Sequence, residues 1–98
     1  MASQVTLDWT PIAAADLRAA YEYIAEDNVA AAEALLERIF SAVERLGQYP
    51  RMGRGGRVEG TRELVIPGTP FVVVYRTGRD RVEVLAVLHA ARRWPEEF

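Results

Sequence analysis

The alternation of apolar and polar residues in VTLDW places Val5, Leu7 and Trp9 on one face, the period of two expected of a short strand. The period changes after Thr10-Pro11, a hydroxyl N-cap followed by proline at the first turn of a helix. Ala13, Leu17, Ala20 and Ile24 then recur at spacings of four, three and four and make one helical stripe. Asp27-Asn28 breaks it and can cap the next helix. The second stripe is longer. Val29, Ala32, Leu36, Ile39, Val43 and Leu46 alternate spacings of three and four, Leu35 and Phe40 widen the face, and Gly47 stands where a helix C-terminal glycine is expected. So short a connection predicts an antiparallel helix hairpin.

YPRMGRGGRVEGT follows without periodicity and reads as a solvated loop; it lacks the GK[ST] of a phosphate-binding loop. Three apolar runs come next, RELVI, FVVVYR and RVEVLAVLH, separated by PGTP and TGRD, which carry turn chemistry. Consecutive antiparallel hairpins are expected. The predicted architecture is α+β: one domain over residues 1–98, with an N-terminal edge strand and an antiparallel helix hairpin packed on a small, mostly antiparallel sheet.

The last two runs are apolar on both faces. Phe71, Val73 and Tyr75 point one way and Val72 and Val74 the other. Uninterrupted alternation puts Val82, Val84, Ala86 and Leu88 together, opposite Leu85 and Val87. Strands of this kind need cover on both sides, and two helices shield one. The long loop and Trp94 are expected to cover only part of the other face, leaving an apolar patch of the kind that marks an interaction site.

Composition narrows the chemistry. With no cysteine and one histidine, disulfides and thiolate metal sites are excluded and no metal or other cofactor is expected. No apolar run approaches the ~20 residues of a membrane span. MASQVTLDWT has no basic and apolar leader, so a cytoplasmic protein is expected. The net charge of −2 hides an asymmetry: residues 1–50 hold three arginines and eight carboxylates, a net of −5, whereas residues 51–98 hold nine arginines and six carboxylates, a net of +3. All twelve basic residues are arginine, whose fork suits carboxylate and phosphate. The second half is where an acidic partner would dock.

The ordered series DLRAAYEYIA, YPRMGR, GTREL, FVVVYR and VEVLAVLHAARRWP resembles the RelE/ParE superfamily of type II toxin–antitoxin toxins. It is closest to the ParE-like branch, often labelled plasmid stabilisation proteins. The resemblance runs from about Asp16 to Pro95 and implies a cytoplasmic, growth-inhibiting toxin. Its antitoxin would be acidic and partly disordered when free, and would wrap the toxin with a segment that folds on binding, commonly a helix in a groove and sometimes an added strand. Higher-order toxin–antitoxin complexes are part of the same expectation.

The superfamily divides by target. RelE-like members cut mRNA on the ribosome, whereas ParE-like members bind and inhibit DNA gyrase without an active site of their own. RelE-like nucleases carry an arginine three positions before the central-strand tyrosine; here that tyrosine is Tyr75 and the position is Val72. They also tend to carry a tyrosine, or a histidine–tyrosine pair, after the C-terminal basic cluster, where this chain has RRWPEEF. The ParE-like ending, a histidine and then an arginine, is met by His89 and Arg92. The resemblance therefore implies a gyrase inhibitor; the alternatives are a metal-independent endoribonuclease or a weakened toxin with another target. A nuclease would rest on His89, Arg92, Arg62 and Tyr75. A target or antitoxin interface would draw on Arg62, Val72, Val74, Arg76, His89, Arg92, Arg93 and Trp94. In its structural role, His89 ends a buried strand and donates to a backbone carbonyl.

Overall fold

A computed structural model describes residues 5–98. Strand β1 (Thr6–Trp9) leads into helices α1 (Pro11–Ala25) and α2 (Val29–Arg45), followed by strands β2 (Arg54–Gly55), β3 (Arg62–Val65), β4 (Phe71–Gly78) and β5 (Arg81–His89). The five strands form one sheet in the order β1-β5-β4-β3-β2, with β1 parallel to β5 and the other pairs antiparallel.

Each helix starts where its cap predicts. The Thr10 hydroxyl accepts from Ala13 N–H at 3.1 Å and donates to the Leu85 carbonyl at 3.2 Å, so one side chain caps α1 and ties it to β5. The Asn28 side chain accepts from Ala31 N–H and opens α2. The other end of α2 differs from expectation. Gly47 does not take the left-handed conformation; the last turn tightens instead, with Leu46 N–H bonded to Val43 and Gly47 N–H to Glu44. Positive φ occurs at Gly68 and Asp80, in the PGTP and TGRD turns. β2, within the run read as a loop, was not expected.

The helices pack on one face of the sheet. Ala13, Leu17 and Ala20 of α1 and Leu35, Ile39 and Val43 of α2 meet Leu64, Val73, Tyr75, Val82, Val84 and Val87 in the main core. The presence of Val87 there corrects the uninterrupted alternation. Val74 pairs with Ala86 but Tyr75 with Val84, so Leu85 is the extra residue of a β-bulge. Side-chain parity flips at that point. Val82, Val84 and Val87 turn toward the helices, while Leu85, Ala86 and Leu88 turn away.

The second face corrects the sequence reading further. Val72 is 1% exposed and Val74 0%, so the apolar patch expected there is closed by the chain itself. Val74, Leu85 and Ala86 form a second, smaller core with the half-buried Leu88 and Trp94. The Trp94 Nε1–H donates to the His89 carbonyl at 3.1 Å, and the Arg57 guanidinium lies 3.4 Å from the centre of the indole. One aromatic side chain from the C-terminal segment and one arginine from the loop therefore complete the roof that two helices could not supply. Val65, 47% exposed, keeps apolar surface open at the margin.

Candidate functional site

The residues that a nuclease would need are spread over the molecule. Tyr75 is fully buried on the helix side of β4. Its hydroxyl donates to the Pro50 carbonyl and accepts from Gly53 N–H, both at 2.9 Å. Burial raises the phenol's pKa, against the Gly53 N–H and the charge of Arg62, which lower it. Arg62 pairs in register with Tyr75 and spends one guanidinium nitrogen on the Gly53 and Arg51 carbonyls, at 2.8 and 3.3 Å. Both residues shape the 50–57 loop. His89 pairs instead with Phe71, four residues back along β4, about 13 Å away at strand rise. Tyr75 thus sits in the middle of β4 with Arg62 beside it, whereas His89, with Arg92 beyond it, stands at the far end of β5.

His89 ends β5 as expected, with a different hydrogen bond. Its Nδ1 accepts from Ala91 N–H at 3.1 Å rather than donating to a carbonyl, and its ring meets Phe71 edge-on, centroids 5.8 Å apart. The neutral ring then carries its proton on Nε2. His89, Arg92 and Arg93 do come together, at the lip of a groove of about 540 Å³ between α1 and the end of β5. Ala19, Ala20, Tyr23 and Ile24 form the helical wall, and Pro70, Phe71, Val87 and Leu88 the sheet wall. The groove is apolar along its floor and cationic at its rim.

Asp16, which the sequence reading passed over, sets the groove's inner end. β1 stops opposite Val84, so the rest of β5 has no strand on that side. Thr10 N–H bonds to the Val84 carbonyl, the Thr10 hydroxyl to Leu85, and an Asp16 carboxylate oxygen accepts from Val87 N–H at 3.0 Å. α1 thereby seals the open edge with side chains. Burial raises the Asp16 pKa, partly offset by the Val87 N–H. Position 16 lies between Ala13 and Ala20 on the margin of the buried stripe, the one sequence signal that could have marked it.

A second unforeseen group is Glu63. It is 3% exposed on the roofed face, where one carboxylate oxygen takes the Arg54 guanidinium at 3.0 Å and the other Arg57 N–H at 2.7 Å and the Arg57 side chain at 3.4 Å. Burial pushes its pKa up, but the Arg57 N–H and the two arginines outweigh this and hold the carboxyl below the usual range. Glu63 thus orients Arg57 under Trp94. Arg76 is paired with Glu83 at 3.2 Å. Of the interface candidates, His89, Arg92 and Arg93 gather at the groove, Val72, Val74 and Trp94 belong to the roofed face, and Arg62 holds the loop. Among the described residues there is no group of acidic or histidine side chains able to hold a metal ion, and no helix is long and apolar enough to cross a membrane.

A family model described as the ParE toxin of the type II toxin–antitoxin system, parDE, matches residues 7–94. The chain belongs to the ParE toxin family. Among its relatives, a Sinorhizobium fredii protein named as a toxin, Y4kP, is 42% identical over 94 residues, covering 96% of this chain and 97% of that one. Toxin RelE2 of Caulobacter vibrioides is 33% identical over 84 residues, covering 86% and 93%. A solved chain from the chromosomal ParDE toxin–antitoxin system of P. aeruginosa superposes with a TM-score of 0.77 at 29% identity, covering 88% of this chain and 96% of that one. The ParE fold derived from the helix hairpin and hairpin strands is therefore the observed one. Within it, Val72 is 1% exposed between Val65 and Leu88, so an arginine placed there could not reach open solvent without displacing its neighbours.

Proposed function

We propose that this ParE-family toxin arrests growth by binding and inhibiting DNA gyrase, and that a cognate antitoxin neutralises it by occupying the groove beside His89. One observation carries the choice of binding over catalysis: the candidate groups of a nuclease do not converge, Tyr75 and Arg62 lying four residues along the strands from His89, about 13 Å. Cleavage by the ribose hydroxyl needs a base, an acid and phosphate-stabilising cations within hydrogen-bond reach of one phosphodiester. Tyr75 and Arg62 are moreover committed to backbone groups of the loop.

The groove fits the partner that the family implies. Its apolar floor suits one face of an amphipathic segment, and Arg92 and Arg93 at the rim suit carboxylates beside that face. Because α1 seals the β5 edge through Thr10 and Asp16, docking of a helical face is favoured over addition of a strand there. Purified toxin titrated into a gyrase supercoiling reaction tests the target. Inhibition at micromolar concentration, relieved by the antitoxin encoded beside this gene, is expected. Supercoiling that proceeds unchanged defeats the gyrase reading.

A further inference from the structure

The loop read from sequence as solvated is instead firmly shaped, and what it displays is not inert. Tyr75 supports Pro50 and Gly53, Arg62 ties the Arg51 and Gly53 carbonyls, and Glu63 takes Arg57 N–H. Gly53 fits so closely that a Cβ there would lie 2.6 Å from the Tyr75 hydroxyl and 2.8 Å from the Glu63 carbonyl. On the outer side of this framework Tyr49 is 62% and Met52 38% exposed. With Pro50 they line a shallow depression of about 600 Å³, bordered by Arg45 from the end of α2 and by Arg51. Neither bordering arginine has an acidic partner among the described residues. A buried tyrosine hydroxyl, a buried carboxylate and an arginine are all employed in fixing a surface that presents an open phenol and thioether between two guanidiniums.

We infer that this platform is the surface with which the toxin grips its target, and that the target offers it a protein segment with an apolar side chain flanked by carboxylates. The inference rests on the toxin reading above but not on the identity of the target. Charge complementarity selects the occupant, since the depression's free charges are all positive. Tyrosine, methionine and arginine are enriched at the cores of protein interfaces, and tyrosine and arginine also among the few residues that carry most of the binding energy. A surface already held in shape loses little freedom on binding. The platform and the groove share no residue, so target and antitoxin would occupy separate sites.

Two variants test this: Tyr49→Ala with Met52→Ala, and Arg45→Glu with Arg51→Glu, with Arg79→Glu at the β4–β5 turn as a charge control. Each is induced in cells without antitoxin and, separately, co-purified with the antitoxin encoded beside the gene. Both variants alter exposed side chains, and thermal melting checks that each is folded. The expected result is growth arrest weakened about tenfold or more in induction level, antitoxin retained, and the control as toxic as the parent. Variants that arrest growth like the parent overturn the inference. So do variants that stay toxic but escape the antitoxin, which would make the platform an antitoxin contact. Parent toxin that binds single-stranded oligonucleotide through Tyr49 and Arg51, with a steep salt dependence, would replace the protein occupant with nucleic acid. A parent chain that never arrests growth is a different result, and removes the toxin reading itself.

Discussion

Trp94→Ala is the substitution that bears most directly on how a small sheet with two apolar faces stays folded alone. Three contributions are lost together. The contact with Arg57, itself 45% exposed, is worth about 0.5–1 kcal/mol. The hydrogen bond from Nε1 to the His89 carbonyl adds about 1 kcal/mol. Cover over Val74, Leu85, Ala86 and Leu88 adds about 1–2 kcal/mol for a half-buried indole. The sum, about 3 kcal/mol, is a large share of the stability of a domain this size and corresponds to roughly 10–20 °C in melting temperature. Urea denaturation of parent and variant measures it. Binding of a hydrophobic dye by the still-folded variant reports the opened face. Trp94→Phe, which keeps a ring over the patch but loses the N–H, should cost about 1 kcal/mol. A Trp94→Ala variant within about 0.5 kcal/mol of the parent, without dye binding, would refute the idea that the C-terminal segment roofs the sheet.

Other substitutions test the remaining parts. Tyr75→Phe leaves the Pro50 carbonyl and Gly53 N–H without their partner and should cost about 1–3 kcal/mol, with faster amide exchange confined to the 50–57 loop. Glu63→Gln should cost about 1–2 kcal/mol at pH 7: its amide oxygen can still accept from Arg57 N–H, but without charge assistance, and its NH2 then faces the Arg54 guanidinium in place of an acceptor. The folded-state pKa of Glu63 is lowered, so its contribution is complete above the ordinary carboxylate value of about 4.3 and is lost as pH falls through the lower folded value; the variant's acid denaturation should be shallower. Asp16 has the opposite sign: its pKa is raised, so stability falls as pH rises from the ordinary value through the raised one, and Asp16→Asn should remove that fall in urea titrations at stepped pH. Arg92→Glu with Arg93→Glu should weaken antitoxin binding about 10- to 100-fold by calorimetry, with growth arrest retained; unchanged affinity would move the antitoxin elsewhere.

What could be read from sequence was whatever depends on near neighbours along the chain. Thr10-Pro11 and Asn28 start helices through contacts three residues away, and PGTP and TGRD turn the strands through their own backbone preferences. What escaped depends on partners far apart in sequence. Leu85 is apolar whether or not a bulge surrounds it, so the parity flip that carries Val87 into the core leaves no mark on the pattern. The roof needs Trp94 to meet Arg57, and Arg57 to be held by Glu63. Asp16 looked like an ordinary polar position of α1 until the end of β1 left an amide of β5 for it to bind. The candidate site followed the same division. His89, Arg92 and Arg93 were adjacent in sequence and meet at one groove, whereas Tyr75 and Arg62 are separated from them by the register of β4.

The central claim, that this toxin works by gripping a macromolecule rather than by cutting one, is tested by inducing the gene alone and following plasmid supercoiling and transcript integrity in the same cells during arrest. The account predicts relaxed plasmid and whole transcripts. Transcripts cut within coding regions while plasmid stays supercoiled would contradict it.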